Sequence, residues 1–303
     1  MNKYKKIMLI YGGISSEREI SIISSEGIYN SLLRNNYEVI KIDADELLEQ
    51  KINEIKPDVI FNALHGYWGE DGQVQRIIEK TKVPYTHSGV NSSEVAMDKY
   101  SAGEEFINNK ILYPKTKLIY FNELENYNQS KFPFVLKPRN DGSSVGVSII
   151  KNNSDKEKYI KKNSNFSEVL VQEFIKGKEI QVAIIGDKAI GSIEIVPKNE
   201  FYDYESKYFD SGETQHILPP RISKKEKELV EKIALQAHKL LKCKGISRSD
   251  FILDENNKEF YLLELNTQPG MTTTSLVPEI AKAEGIGFDK LINWILNDAS
   301  TNR

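Results

Sequence analysis

Residues 247–275 read SRSDFILDENNKEFYLLELNTQPGMTTTS, and this stretch decides how we interpret the rest of the chain. Two runs with alternating side chains, 248–253 and 260–266, flank the turn sequence DENNK and predict a β-hairpin. A turn centred near Asn257 would place Asp250 opposite Glu264 and Arg248 opposite Asn266. Because side chains alternate along a strand, these four polar groups share one face. The other face is apolar and is expected to enter the core, with Phe251, Leu253, Leu263 and Leu265.

The polar face of this hairpin predicts a site for a hard cation. Asp250, Glu264 and Asn266 offer only oxygen ligands, which suit Mg²⁺ because that ion completes its shell with water and phosphate oxygens. A cross-strand pair between Arg248 and a carboxylate is the competing interpretation, since such pairs are common on wet faces. The segment TQPGMTTTS that follows favours the metal site, because it combines a Pro-Gly turn with many hydroxyls and backbone N–H groups.

The pattern along the chain predicts two or three domains, since 303 residues exceed one small core. Strands and helices alternate in the first third, which predicts a mostly parallel sheet covered on both faces. Short β-branched strands follow and predict antiparallel pairing. Residues 197–220 are polar and aperiodic, which is typical of a lid or binding loop. The predicted strands are 6–11, 38–43, 59–62, 83–85, 117–120, 132–137, 145–150, 169–174, 179–185 and 189–196, and the longest predicted helices are 92–109 and 223–241.

Composition excludes several classes of partner and site. The chain has 41 basic and 44 acidic side chains, a net charge of −3, so it has no general attraction to nucleic acid or anionic membrane. No apolar stretch is long enough to span a bilayer, and the run Ile7–Tyr11 is too short for a signal peptide core. The single Cys243 permits neither an internal disulfide nor a cysteine metal cage. We therefore expect a cytoplasmic protein.

A candidate anion site follows the strand that ends near Lys137. The turn Gly142–Gly146, with Ser143 and Ser144 inside it, offers flexible backbone N–H groups and hydroxyls. An ordinary hairpin turn is the alternative. The phosphate-binding pattern GxxxxGK[ST], the dinucleotide pattern GxGxxG and the kinase catalytic-loop pattern are all missing from the sequence. In QEFIKGKE, Glu179 could accept from ribose hydroxyls, although a surface turn is the simpler interpretation.

Six stretches, in order, resemble the D-alanine–D-alanine ligase family of the ATP-grasp superfamily. They are GGISSEREIS at 12–21, LHGYWGEDG at 64–72, KPRNDGSSVGVS at 137–148, FYDYESKY at 201–208, SRSDF at 247–251 and LLELNTQPGMTTTSLVP at 262–278. The resemblance implies an α/β and α+β chain in which an N-terminal parallel α/β domain precedes a two-subdomain ATP-grasp fold. The implied domains are 1–98, 99–186 and 187–303.

The resemblance also implies roles for single residues. Glu17 would hold the ammonium of a first D-alanine, and Tyr208, on the long loop, would hydrogen-bond toward Ser143 and Glu17. Arg248 and the Gly270 N–H would form an oxyanion hole. Substrate contacts would come from His65, Ser275 and Leu276, nucleotide contacts from Lys99, Lys137, Glu173, Phe174, Ile175, Glu179 and Lys207, and metal contacts from Asp250, Glu264 and Asn266. Three bland alternatives stand beside these roles: a packed His65, a solvated Lys99 and a helix-capping Ser275.

The implied activity is the ATP-dependent joining of two D-alanine molecules through an acyl phosphate, for peptidoglycan precursor synthesis. Two Mg²⁺ ions, which Mn²⁺ may replace, and a homodimer are implied with it. A ligase that takes D-serine or D-lactate second is the alternative. Tyr208 in ESKY favours D-alanine over D-lactate and leaves D-serine open. A non-catalytic nucleotide-binding module is disfavoured, because it would lack part of the metal cluster or the lysines.

Overall fold

A computed structural model describes residues 3–127, 131–142, 145–197, 214–272 and 274–303 of the chain. Within these ranges the strands form one three-stranded, one four-stranded and one five-stranded sheet. The first is parallel and the other two are antiparallel, as the sequence predicts. Among the described residues, no helix combines the length and apolarity needed to cross a membrane.

The parallel sheet is built around a buried central strand. Four consecutive residues of that strand and all four residues of one neighbour are buried, because helices cover both faces. The predicted strand at 83–85 is reduced to one parallel bridge between Ile60 and Tyr85. The strands, in spatial order, are β2 (Glu38–Asp43), β1 (Lys6–Tyr11) and β3 (Val59–Asn62), and the helices are α1 (Arg18–Arg34), α2 (Leu48–Ile55) and α3 (Gln73–Thr81).

The single helix predicted at 92–109 is wrong, because the chain breaks at Asp98 into α4 (Val90–Met97) and α5 (Lys99–Asn108). Asp98 is extended and its Oδ1 accepts from the N–H groups of Tyr100 and Ser101, both at 3.1 Å. This cap competes with a continuous helix. Helical periodicity continues through the break, so the sequence pattern does not reveal it. The break makes Lys99 the first residue of α5.

The four-stranded sheet carries Lys137 toward the rest of the molecule. Phe134 and Leu136 pack with Tyr159 in one core cluster, and alternation turns Lys137 to the opposite face. Helix α6 (Asn153–Lys162) supplies Tyr159. The strands, in spatial order, are β4 (Thr116–Tyr120), β7 (Glu168–Glu173), β5 (Phe134–Pro138) and β6 (Ser148–Ile150).

The five-stranded sheet is the centre of the protein, since core clusters lie on both of its faces. One cluster joins it to α5 and to α7 (Lys224–Leu240), and the other joins it to β1, α1, α8 (Leu276–Ala283) and α9 (Phe288–Asp298). The described end of the predicted loop 197–220 contains an edge strand, and residues 198–213 of that loop lie outside the described residues. The strands, in spatial order, are β10 (Gln215–Ile217), β9 (Lys188–Val196), β8 (Gly177–Ile185), β11 (Ile246–Asp254) and β12 (Phe260–Asn266).

The hairpin of β11 and β12 has the predicted pairs, Arg248 with Asn266 and Asp250 with Glu264. A bulge follows, so that Phe251 pairs with Leu262. The extra residue in β12 reverses the alternation, and Leu262 is fully buried while Leu263 is only partly buried. The expectation that Leu263 enters the core is therefore wrong. A turn-centred count of residues predicted the pairs beyond the bulge but not the bulge itself.

The predicted domain bounds 1–98, 99–186 and 187–303 stay a prediction. The bound at 186 falls between β8 and β9, which pair along their length within one sheet. Sheet membership instead changes between β7, which ends at Glu173, and β8, which begins at Gly177.

Asp98→Ala is expected to lower the free energy of unfolding by about 1–2 kcal/mol, because it removes the cap of α5. It also removes two hydrogen bonds from Arg139, at 2.6 and 3.0 Å. Denaturant unfolding measures the change. Asp98→Asn keeps the Oδ1 acceptor and should lose less than half as much. Equal losses for the two variants would contradict the cap as the main contribution.

Candidate active site

A cavity that is open to solvent lies among segments that follow all three sheets. The turn after β3 contributes His65, the start of α5 contributes Lys99, and the segment after β5 contributes Gly142. The hairpin and the turn behind it contribute Arg248, Glu264, Asn266 and Gly270, while Glu17 closes another side. The structure therefore brings seven of the sequence-predicted residues around one space.

Arg248 and Asp250 form a buried ion pair along one strand. Arg248 Nε donates to Asp250 Oδ1 at 2.7 Å, and Nη2 donates to Oδ2 at 2.8 Å. The side chains are only 13% and 5% exposed. The pair differs from the cross-strand pair considered from the sequence, because its partners are two residues apart on β11. Its two parallel hydrogen bonds hold the guanidinium in one orientation at the cavity wall.

The remaining polar groups of the hairpin fit a hard cation. Glu264 Oε2 lies 3.8 Å from Lys99 Nζ, and Asn266 Oδ1 accepts from the Gln268 N–H at 2.8 Å. The oxygens of Asp250 keep further lone pairs despite the bonds from Arg248. Within the described ranges, no three His, Cys, Asp or Glu side chains cluster suitably for a metal ion. A metal here would therefore depend on the amide oxygen of Asn266.

Two lysines lie near the carboxylate of Glu264, Lys99 at the start of α5 and Lys137 on β5. Lys99 Nζ also donates to the Asp141 carbonyl, and Lys137 Nζ lies 3.5 Å from the Leu263 carbonyl. Burial, reinforced by the Lys99 cation, lowers the pKa of Lys137 to about 7. An anion bound beside Lys137 would favour its charged form. Two buried cations of this kind suit a ligand that carries several negative charges, and the interpretation of Lys99 as a solvated residue is wrong, since it is only 7% exposed.

Glu17 and His65 also line the cavity. Glu17 is buried and directly precedes α1, although its side chain makes no capping hydrogen bond with that helix. His65 Nε2 lies 3.3 Å from Ser24 Oγ. Burial lowers the pKa of His65 to about 4, so the imidazole is neutral at neutral pH. His65 is thus both a packed histidine and a wall of the cavity.

Glu70 is the cavity residue to which the sequence gave no role, although it lies within the matching stretch LHGYWGEDG. Its Oε1 accepts from the Gly66 N–H at 2.9 Å, while its buried Oε2 has no hydrogen-bond partner among the described residues. Burial and the charge of Glu17 raise the pKa of Glu70 well above its ordinary value. Because an acidic residue in a turn is usually solvated, the sequence does not single out Glu70. Only its burial in the structure does.

Only some of the predicted residues in the segment after the hairpin line the cavity. Gly270 lines the cavity, whereas the Leu276 side chain is buried in the core, so any substrate contact from Leu276 would involve its backbone. Ser275 occupies the cap position of α8 without capping it. Its Oγ accepts from the Thr272 N–H at 2.9 Å instead. The helix-cap interpretation of Ser275 is therefore wrong.

The predicted nucleotide strip lies apart from the cavity wall. Glu173 ends β7, Phe174 and Ile175 are partly buried, and the Glu179 carboxylate accepts from Gln181 at 2.8 Å. The predicted roles of these residues stay predictions. Three further predicted residues, Ser143, Lys207 and Tyr208, lie outside the described residues.

Comparisons with known proteins show the family of the chain. A family model described as D-ala D-ala ligase C-terminus matches residues 115–297. A D-alanine–D-alanine ligase from Pelagibacter ubique (strain HTCC1062) is 50% identical over 307 residues, which cover 99% of each chain.

Solved structures show the same fold over nearly the whole length. The D-alanine–D-alanine ligase of Bacillus anthracis complexed with ATP superposes with a TM-score of 0.82 at 30% identity, covering 97% of each chain. The VanG D-Ala:D-Ser ligase of Enterococcus faecalis has a TM-score of 0.81 at 26% identity, covering 97% of this chain and 99% of that one. By sequence and by fold, the chain belongs to the D-alanine–D-alanine ligase family.

Proposed function

We propose that this chain is a D-alanine–D-alanine ligase, which uses ATP to join two D-alanine molecules for peptidoglycan precursor synthesis. One observation carries the proposal: a single cavity gathers two acidic residues, Glu17 and Glu70, and two basic residues, Lys99 and Arg248. The acidic residues suit the ammonium of an amino acid. The basic residues suit its carboxylate and a polyphosphate. The relatives named D-alanine–D-alanine ligase match the chain more closely than the D-Ala:D-Ser ligase does.

The first step would be phosphoryl transfer. The carboxylate of one D-alanine attacks the γ-phosphorus of ATP, and ADP leaves to give an acyl phosphate. Phosphoryl transfer depends on positioning and charge neutralisation more than on covalent help. Lys99 and Lys137 would provide cations for the phosphates, and Glu17 would hold the substrate ammonium.

The second step would be acyl transfer to an amine. The amine of the second D-alanine attacks the acyl carbon, and phosphate leaves from the tetrahedral intermediate as the amine gives up its proton. Arg248 and the Gly270 N–H, which both line the cavity, would stabilise the oxyanion. One such donor is worth roughly 3–4 kcal/mol in other enzymes. Asp250 contributes by holding Arg248 through two hydrogen bonds.

The donor set described above fits Mg²⁺. Asp250, Glu264 and Asn266 would hold the metal, two ions by resemblance to the family, and Mn²⁺ could replace them. When bound, the metal neutralises phosphate charge and orients the transferred group.

Several parts of the proposal rest on the resemblance to the family. Glu173, Phe174 and Ile175 would line the adenine pocket, and Glu179 would bind the ribose. Ser143, Lys207 and Tyr208 would close and complete the site, while His65, Ser275 and Leu276 would position the amino acids. We also propose a homodimer in the cytoplasm, and the buried, free Cys243 agrees with a reducing compartment.

Phosphate release tests the activity directly. With ATP and Mg²⁺, D-alanine is expected to give rapid release together with a dipeptide, whereas L-alanine gives neither. The same assay with D-alanine plus D-serine or D-lactate measures the second-substrate preference. Release that requires another acid in place of D-alanine would contradict the substrate and leave the ligase chemistry standing.

Glu264→Gln is expected to abolish turnover, because it removes one of the two carboxylates proposed to hold the metal. The fold should persist, since the change is isosteric and Glu264 is partly exposed. Circular dichroism and steady-state phosphate release measure the two effects. Glu259→Gln, at the exposed residue just before the same strand, is the matched control and should retain activity. Substantial turnover by Glu264→Gln would contradict the proposed metal site.

Glu70→Gln is expected to weaken D-alanine binding and to flatten its pH dependence. The raised pKa means that burial and Glu17 favour the protonated form of Glu70, whereas an incoming ammonium favours the carboxylate. Binding should therefore release protons, and D-alanine affinity should rise with pH up to the raised pKa. Calorimetry in buffers of different ionisation enthalpy measures the release. Release that persists unchanged in Glu70→Gln would assign it to another group, such as Glu17.

A further inference from the structure

His87 has a backbone conformation that is rare for its residue type. Its φ of +67° lies in the left-handed region, which mainly glycine adopts. The residue is buried, its carbonyl accepts from Arg303 Nε, and its ring meets Phe61 edge-on with centroids 5.7 Å apart. Such strain persists only where the surroundings hold it, and it often marks a functional position.

The hydrogen bonds around His87 assign its proton. Thr86 Oγ1 accepts from the Asn62 N–H at 3.0 Å and lies 3.0 Å from His87 Nδ1. If the Thr86 hydroxyl donates to Nδ1, its proton has an acceptor. The opposite direction, from Nδ1–H to the hydroxyl, would leave the hydroxyl proton unpaired. Burial lowers the pKa of His87 to about 3, so its ring is neutral, and a Thr86 hydroxyl that donates to Nδ1 would place the one ring proton on Nε2. This buried Nε2–H has no partner among the described residues.

A second, small cavity joins His87 to the active site. Its lining includes His87, Ser24 and His65, and His65 also lines the larger cavity. Ser24 Oγ accepts from the Met271 N–H at 3.3 Å and lies 3.3 Å from His65 Nε2. At both His87 and His65, therefore, a hydroxyl accepts from a backbone N–H and lies against an imidazole nitrogen. Of the two imidazoles, only that of His87 has a buried nitrogen without a partner among the described residues.

We propose that His87 is a positioning residue whose Nε2–H holds a water in the second cavity, through which it fixes Ser24 and the ring of His65. The water would accept from His87 and donate to a free lone pair of Ser24 Oγ. Ser24 could then donate its proton to His65 Nε2, which leaves the proton of His65 on Nδ1. Asn62 and Gln268 add polar groups to the lining, as a buried water requires.

The consequence concerns binding of the first amino acid, so the inference rests on the proposed function. A neutral imidazole can point either an N–H or a lone pair at a ligand. When one tautomer of His65 is fixed, the cavity wall at His65 offers the substrate a constant set of hydrogen-bond donors and acceptors. His87 acts on that wall without touching the substrate.

The test compares His87→Gln with His87→Leu. Glutamine and leucine have side chains of similar volume, and both residues are similarly strained at a positive φ. Only glutamine supplies an N–H near the position of Nε2. The Leu variant should raise the Michaelis constant for the first D-alanine roughly three- to tenfold, with little change in kcat or in the constant for ATP. The Gln variant should stay within about twofold of the parent enzyme, a far smaller change than the lost hydrogen bond produces.

A spectroscopic measurement reads the same effect without turnover. The ¹⁵N shifts of the His65 ring, in the full chain, should report one tautomer in the parent protein and in His87→Gln. They should report a mixture in His87→Leu. Equal Michaelis constants for the two variants, or an unchanged His65 tautomer in His87→Leu, would overturn the proposal.

His238 supplies a control for the general effect of losing a buried imidazole. It is buried on α7, with Nδ1 2.7 Å from Ser247 Oγ, and lines neither cavity. His238→Leu should lower the melting temperature without changing the constant for the first D-alanine. If the parent enzyme forms no dipeptide, the proposed function fails, while the tautomer measurement still decides the role of His87.

Discussion

The two hydrogen bonds between Arg248 and Asp250 are the interaction on which the site depends. Both groups are buried, and a buried charge is tolerated only when it is paired and hydrogen-bonded. The pair therefore holds the guanidinium at one place on the wall of the cavity. The same strand pairing sets Glu264 and Asn266 beside it. A freely moving arginine would offer the same charge without a fixed direction, and oxyanion stabilisation requires that direction.

The bulge in β12 lets one hairpin serve both the core and the site. Before it, Leu262 and Phe260 face inward, and after it Glu264 and Asn266 face the cavity while Leu265 stays buried. The Leu263 carbonyl is turned toward Lys137 at the point of the bulge. Bulges are common beside active sites because they re-aim side chains without ending the sheet. Here the re-aiming brings the four-stranded sheet, through Lys137, to the edge of the hairpin.

Period-two alternation and turn composition predicted nearly every strand and the pairs Arg248–Asn266 and Asp250–Glu264. These signals come from neighbouring residues, so they fail where residues far away in the sequence determine the local structure. The break at Asp98 depends on its cap and on Arg139, which lies 41 residues away. The burial of Glu70 depends on the fold of its own turn and on Glu17. The conformation of His87 depends on Arg303, 216 residues away. No window of sequence contains both partners of these contacts.

Charge explains why the cavity is suited to ligands rather than to water alone. Lys137 is buried beside another cation, and its pKa falls to about 7 because burial and Lys99 both oppose its charge. Glu70 is buried beside Glu17, and its pKa rises because burial and the charge of Glu17 both oppose its own charge. The charged forms of Lys137 and Glu70 are therefore disfavoured until a counter-charge arrives. A polyphosphate would relieve the first and an ammonium the second, so each ligand would strengthen the charge that binds it. An amino acid activated by ATP carries both kinds of charge.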